Sequence, residues 1–257
     1  MSDKSRFFIG LMALLCMIPL QTKAQYFEPM AAELLERVRA QQPTRDLQDR
    51  LAAADPDELA AYLDTDAKRI AFWTNVYNSY IILVLREDPD LYENRNNFFR
   101  KPRAKIAGLD LSFDQIEHGI LRGGQFKYGL GFIPNPFADK YVTALQVQEV
   151  DPRLHFALNC GAESCPPIEV FRTETLDEQL NRRTRAYLSG HVTYNPVHNK
   201  VIMTPLVSWF RGDFGGLSGV KQLLKQLELI PAESNPSIEF EDYDWTLDLQ
   251  NFVEDAD

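Results

Sequence analysis

The sequence predicts an α+β protein, rich in helix, with a long buried central helix packed on a small mixed sheet and two hairpins. Three observations predict it. Apolar residues recur at helical spacing from Pro29 to Leu63 and again from Ala67 to Arg86. Short alternating runs flank turn residues at Gly108 and at Pro196-Val-His-Asn199. No repeat, low-complexity tract or Gly/Ser linker divides the chain, so one domain over residues 25–257 is the simplest organisation.

The first residues read as an address rather than as fold. Lys4 and Arg6 precede an apolar run from Phe7 to Leu20, and Thr22-Lys23-Ala24 places small residues where signal peptidase reads. A signal peptide over residues 1–24 is expected, and with it a periplasmic or secreted protein. Removing 24 of the 257 residues leaves 233, enough for a sizeable core. The leader carries Asp3, Lys4, Arg6 and Lys23, a net +2, so the formal charge moves from −10 to −12. Such a chain repels phosphate backbones, which argues against general nucleic-acid binding. No later stretch is apolar enough for a membrane span; Ile70 to Leu85 carries Asn75 and Asn78. The one basic run, Arg95 to Lys105, reads most simply as a solvated loop.

Along the chain, Ala32, Leu34, Leu35 and Val38 make one apolar stripe and Leu47, Leu51 and Ala54 another. Asp55-Pro56 stops one helix and starts the next. Asp66 is placed to cap a helix over Ala67–Arg86 that is apolar on nearly every side, hence buried. Asn75 and Asn78 share a face of it. Buried amides need hydrogen-bond partners, so they either orient a catalytic group or ligand, or pin loop backbone. A hairpin about Gly108 leads to Ser112 and Gln115, a capping box for a helix carrying Glu117 and His118. Gly123 to Phe137 is dense in glycine, proline and aromatics: a pocket wall or lid, or an ordered surface loop.

Leu154, Phe156 and Leu158 alternate with His155, Ala157 and Asn159, the pattern of a half-buried strand with Cys160 at its end. A helix from Thr173 or Thr175 to Ser189 should turn Leu176, Leu180, Ala186 and Tyr187 inward. A hairpin around Pro196–Asn199, a short aromatic segment Leu206–Phe210, a helix Leu217–Leu229 and an edge strand Ile238–Trp245 complete the chain. His191 and His198 receive no role.

Three readings compete for His118, His155, Cys160 and Cys165. A cysteine nucleophile needs a nearby imidazole or helix N-terminus to form its thiolate. Pro166 and Pro167 remove amide donors after Cys165, which favours Cys160, and strand parity turns His155 away from it, which favours His118 as base. Two thiolates with one or two imidazoles would suit zinc by ligand type, although the four-residue spacer is at the edge of the usual range and oxidation competes. The third reading is structural, a disulfide or two buried thiols beside a hydrogen-bonded histidine. A bridge across so short a loop adds little stability through chain entropy. No cofactor and no metal is expected.

Three segments, Phe72-Trp73-Thr-Asn75-Val-Tyr77-Asn78, Leu111-Ser-Phe-Asp-Gln-Ile-Glu117-His118-Gly-Ile-Leu121-Arg122 and Asp151-Pro152-Arg153 through Cys160 to Pro167, resemble in this order the family catalogued as domain of unknown function 547. The closing Tyr243-Asp-Trp245 also resembles its C-terminal signature, so the likeness spans Tyr62 to Leu247. The resemblance implies no established activity. It implies bacterial exported relatives and plant intracellular ones, some with a coiled coil that this chain lacks; the intracellular ones weaken the case for an obligatory disulfide. Its motif residues here would be Asn75, Asn78, Glu117, His118, His155, Asn159, Cys160 and Cys165.

These residues are expected to converge in one cleft beneath the Gly123–Phe137 loop. Two functions are carried forward. One is a thiol-dependent hydrolase or acyl transferase acting on an envelope peptide or amide. The other is a non-catalytic module that binds a small-molecule or peptide ligand, with Cys160 and Cys165 as a structural pair.

Overall fold

The computed structural model describes residues 27–136 and 139–254; the expected signal peptide and Phe137 lie outside them. The first helices form where the apolar stripes predict. α1 (Phe27–Arg39) buries Ala31, Leu34, Leu35 and Val38, and α2 (Arg45–Ala52) buries Leu47 and Leu51. α3 (Pro56–Tyr62) starts at the Asp55-Pro56 signal, with the Asp55 carboxylate accepting from the amides of Asp57 and Glu58.

The central helix is α4 (Asp66–Glu87), and every residue from Ile70 to Ile82 is buried. Its cap is Thr65, one residue earlier than expected, whose hydroxyl accepts from the Lys68 amide. The Asp66 carboxylate therefore does not cap the helix. It accepts instead from the distant amides of Gln148 and Glu149 and pairs with Arg69. α4 packs chiefly against α1 and the helix that carries Glu117, and only lightly on the first hairpin.

A 3-10 turn and α5 (Arg95–Arg100) lead to the hairpin β1 (Pro102–Ile106) and β2 (Leu109–Ser112). The basic run is therefore α5 and the first strand, not a loop. Ala107 and Gly108 both have positive φ, 49° and 73°, the geometry of a two-residue type I′ turn. Their amides donate to the carbonyls of Leu51 and Ala52, docking the turn on α2.

The capping box forms: the Ser112 amide donates to Gln115 Oε1 and the Gln115 amide to Ser112 Oγ. The helix it starts, Gln115–Leu121, is a π-helix, closed by the Arg122 amide donating to the Glu117 carbonyl. Turns of this kind recur at functional sites, and this one carries Glu117 and His118.

The expected strand over Leu154–Leu158 is absent. Pro152–Phe156 is a 3-10 helix, started by Asp151, whose carboxylate accepts from the Arg153 amide. The same Asp-Pro signal that opens α3 operates here. The alternation fails because Leu154, His155, Phe156, Ala157, Leu158 and Asn159 are all buried.

A short helix, α6 (Lys140–Ala144), precedes this segment. α7 (Leu176–Gly190) buries Leu176, Leu180 and Tyr187 as predicted, but Thr184 and Leu188 take the inward place expected of Ala186, which is exposed. A three-stranded mixed sheet follows, in the order β3 (Val192–Asn195), β4 (Lys200–Met203), β5 (Ser237–Phe240), with β4 and β5 parallel. The edge strand ends at Phe240, so Tyr243 and Trp245 leave the sheet. Between β4 and β5 lie α8 (Leu206–Trp209) and α9 (Gly216–Gln226).

The core divides into two hydrophobic clusters. α1–α5, the first hairpin and the π-helix build the larger; Tyr187, Leu188, Val201, Met203, Val207, Val220 and Leu224 build the smaller. The mixed sheet thus closes the smaller cluster and does not form the bed for α4. Leu154, Ala157 and Leu158 belong to one cluster and Phe156 to the other, so residues 152–158 run along the seam. Among the described residues no helix is long and apolar enough to cross a membrane.

Candidate functional site

A cavity of about 400 Å³ opens on this seam. Tyr77, Leu158 and Phe99 line it from the larger cluster, and Leu206, Trp209, Phe210 and Tyr243 from the smaller. Lys127, Tyr128 and Leu130 of the aromatic loop form part of its wall. The loop is held there by the Gly212 amide donating to the Leu130 carbonyl at 2.7 Å. Clefts between packed units are the usual place for ligands.

Five of the eight motif residues reach the cavity: Glu117, His118, His155, Cys160 and Cys165. Asn75, Asn78 and Asn159 do not; they are fully buried and bound to backbone. Asn75 bridges both the amide and the carbonyl of Phe171. Asn78 donates to Ala157 O and accepts from the Asn159 amide. Asn159 donates to Pro166 O and accepts from the amide of Gly161. Gly161 has φ +88°, and a Cβ there would meet Leu85 Cδ1 at 3.1 Å, so the turn needs glycine. The three amides hold the cysteine segment in place and leave the chemistry to others.

The imidazoles are joined through two residues that sequence reasoning missed, Arg122 and Asp213. Arg122, with 0% side-chain exposure, donates through Nε and Nη2 to the two oxygens of Asp213, at 2.6 and 3.0 Å. Its Nη1 lies 2.9 Å from His118 Nδ1. A guanidinium can only donate, so Nδ1 accepts and the neutral ring carries its proton on Nε2. His155 Nε2 lies 2.7 Å from Asp213 Oδ2; a carboxylate can only accept, so this nitrogen donates and Nδ1 keeps the lone pair. Phe210 stacks on His155 at 4.0 Å and lies under the Arg122 guanidinium.

Burial holds both histidines below the ordinary imidazole range, reinforced at each by the Arg122 charge; the Asp213 contacts oppose this at His155 without overcoming it. Burial alone would raise Asp213, but hydrogen bonds and charge from His155 and Arg122 bring it down to about 2. Glu117 moves the other way. Burial pushes its carboxyl up to about 7, against Arg122 and Lys127, with Asp114 adding like charge. Tyr77 donates to it at 3.3 Å. This places a carboxyl able to exchange a proton near neutrality on the cavity wall.

Cys160 and Cys165 form a disulfide, with Cα atoms 6.2 Å apart. Cys165 is buried, and its Sγ accepts from the Cys160 amide at 3.0 Å and the Tyr243 hydroxyl at 3.2 Å. The same hydroxyl stands 3.6 Å from Cys160 Sγ. Cys160 is partly exposed to the cavity. Among the described residues neither sulfur is hydrogen-bonded to an imidazole. The parity argument that favoured His118 over His155 falls with the strand, since both rings line the same cavity. Nor do the described residues contain a group of three or more His, Cys, Asp or Glu side chains that could hold a metal ion.

The lining also carries an aromatic cluster. Trp209 and Trp245 stack at 5.7 Å, with Tyr243 tilted against both and Arg95 over Trp245. The segment after β5 reaches it because the amides of Glu163 and Ser164 donate to Thr246 O and Asp244 O. Of the missed residues, Arg122 stands one turn from His118 in a segment already singled out, so its spacing was a usable signal. Asp213 is 91 residues from Arg122, in a glycine-rich stretch with no periodicity, and nothing marks it.

Fold and site together define an α+β protein with an aromatic-walled cleft that holds a cystine, two linked imidazoles and a near-neutral carboxyl. Residues 62–188 match the family described as "Protein of unknown function, DUF547", and that segment belongs to it. The three-motif resemblance is thereby shown. Leu206, Trp209, Phe210, Tyr243 and Trp245 of the lining, and Asp213 behind it, lie beyond the match, so part of the cleft is built from chain outside it. No curated protein and no solved structure matches this chain.

Proposed function

We propose that the cleft takes a small molecule or peptide with a flat or aliphatic body and one polar, amide-like end, and that Glu117 exchanges a proton with it. The observation that carries this reading is the make-up of the lining: the aromatic cluster Trp209, Tyr243 and Trp245 together with four polar groups, Asp114, Glu117, His118 and Lys127. An apolar wall supplies binding area and a few convergent polar groups set orientation. The reading is tested by titrating aromatic amides and short peptides while following tryptophan fluorescence. Trp209 and Trp245 stand in the wall, whereas Trp73 is fully buried elsewhere. A saturable response whose affinity changes with pH through about 7, and ceases to do so in Glu117→Gln, supports it. The absence of any saturable response, or an identical pH profile in the variant, sinks it.

A second reading is a thiol-dependent hydrolase or acyl transferase acting on peptide or amide bonds. It is favoured by one observation: Cys160 shares the cavity with His155, a candidate base already oriented by Asp213. It requires the disulfide to be open. Reduced protein should cleave a fluorogenic peptide amide or ester, and Cys160→Ser should not; equal rates in the two remove the reading. In either case we take the protein to be exported, on the strength of the residue 4–24 pattern. Purified native protein beginning at Gln25 would support export, and an intact residue 1–24 segment would overturn it.

A further inference from the structure

The turn that the disulfide closes is also held by hydrogen bonds. The Cys165 amide donates to Ala162 O, Asn251 Nδ2 to Cys165 O and the Tyr187 hydroxyl to Ser164 O, while Asn159 and the segment after β5 fix the remainder. The bridged residues are only five apart, so chain entropy gains little from the bond. Yet the bond is set in a cavity wall, with its two sulfurs in unlike surroundings. Both line the cavity, but Cys160 is the partly exposed one. Cys165 is buried and receives two donors, an amide and a phenol, and the latter comes from a residue 78 positions away. Two donors aimed at one sulfur stabilise it as a thiolate.

We propose that Cys160 and Cys165 form a thiol–disulfide exchange site for a cysteine-containing peptide with an aromatic or aliphatic neighbour to its cysteine. The peptide thiolate attacks Cys160 Sγ, the sulfur it can reach. A peptide–Cys160 S–S bond forms, the Cys160–Cys165 bond breaks, and its electron pair leaves on Cys165 Sγ. The Cys160 amide and the Tyr243 hydroxyl stabilise that leaving thiolate, and a better-stabilised leaving group departs faster. A second thiolate of the same peptide then attacks the peptide sulfur of the mixed disulfide. Cys160 leaves as thiolate, and the peptide carries away a disulfide. One passage moves two electrons from the peptide dithiol to the protein and ends with both protein sulfurs reduced. The Trp209–Trp245–Tyr243 wall beside the sulfurs selects for the apolar neighbour. This reading shares the cavity with the ligand-binding proposal but not the Glu117 chemistry, so either can fail alone.

The test uses the oxidised full chain and two thiols, a cysteinyl peptide with phenylalanine beside its cysteine and glutathione as the polar comparator. The folded protein should be reduced by the aromatic peptide roughly 10-fold faster than by glutathione at equal thiolate concentration. Circular dichroism should show the fold unchanged by reduction. Cys165→Ser, mixed with the peptide's own disulfide form, should hold a mixed disulfide at Cys160, seen by intact mass and mapping. Tyr243→Phe removes one donor and should slow opening of the bridge about 5-fold. A bridge that opens only at the rate of global unfolding overturns the proposal. So does equal reactivity toward the two thiols, or a mixed disulfide that forms on Cys165 in Cys160→Ser as readily as on Cys160.

Discussion

Two sets of polar side chains come from the same three motifs and meet different fates. Asn75, Asn78 and Asn159 sit in the core, and each spends both ends of its amide on backbone between residues 157 and 171. Glu117, His118 and His155 line the cavity, and their nearest partners are side chains: Tyr77, Arg122 and Asp213. An amide carries a donor and an acceptor, which matches a backbone N–H and C=O at no charge cost. Ionisable groups lack that match of donor with acceptor, and these three pair with other side chains beside a cavity. Motif membership therefore does not separate tethers from chemistry; the way each group's hydrogen-bonding capacity is used does.

The sharpest way to break this contrast is at Arg122, the buried cation on which the ionisable set depends. Arg122→Met leaves Asp213 without its bidentate partner and should cost about 3–5 kcal/mol, read by urea denaturation. A loss below about 1 kcal/mol would mean that the cluster is not a mutually dependent unit. Next comes the amide side. Asn78→Ala strands Ala157 O and the Asn159 amide in the core and should cost about 2–4 kcal/mol. Its folded fraction should keep the tryptophan response and the thiol reactivity of the cavity. A variant of full stability with an altered cavity would place Asn78 with the chemistry instead.

The smallest effect is pH-dependent. Glu117 has its folded pKa raised to about 7, above the ordinary carboxyl value near 4.5, so the folded state holds its proton more tightly. The stabilisation this gives is full below the unfolded value and is lost as pH rises through the folded one. His118 and His155 are lowered, so theirs is present above the ordinary imidazole value and lost on acidification. Those residues are common to wild type and Glu117→Gln and cancel in the difference. Between pH 5 and 8 the wild type should lose roughly 1–3 kcal/mol relative to the variant, the upper end set by the size of the shift. Thermal melts across that range check it; a constant difference would show that Glu117 does not titrate there.

Much of the fold was legible because its signals are local. The apolar stripes, Asp55-Pro56, the Ser112/Gln115 box and the turn at Gly108 each depend on residues within a few positions. The Leu154–Leu158 segment misled because alternation implies a strand only when one face meets solvent, and here both faces are covered. Asp151-Pro152 was the better signal. The tail misled similarly, since hydrogen bonds from Glu163 and Ser164 draw residues 244–246 out of the sheet.

By itself the sequence determined the class of fold, the buried central helix and the stretch that carries the sulfurs, because hydrophobic period and capping act over a few residues. Only the tertiary structure decided which polar groups see the cavity, that Asp213 joins the two imidazoles through Arg122, and that Tyr243 faces the sulfurs. Those pairings bridge 58 to 91 residues of chain. Charge and hydrogen bonding act through space, and no local pattern records which distant groups folding will bring within about 3 Å.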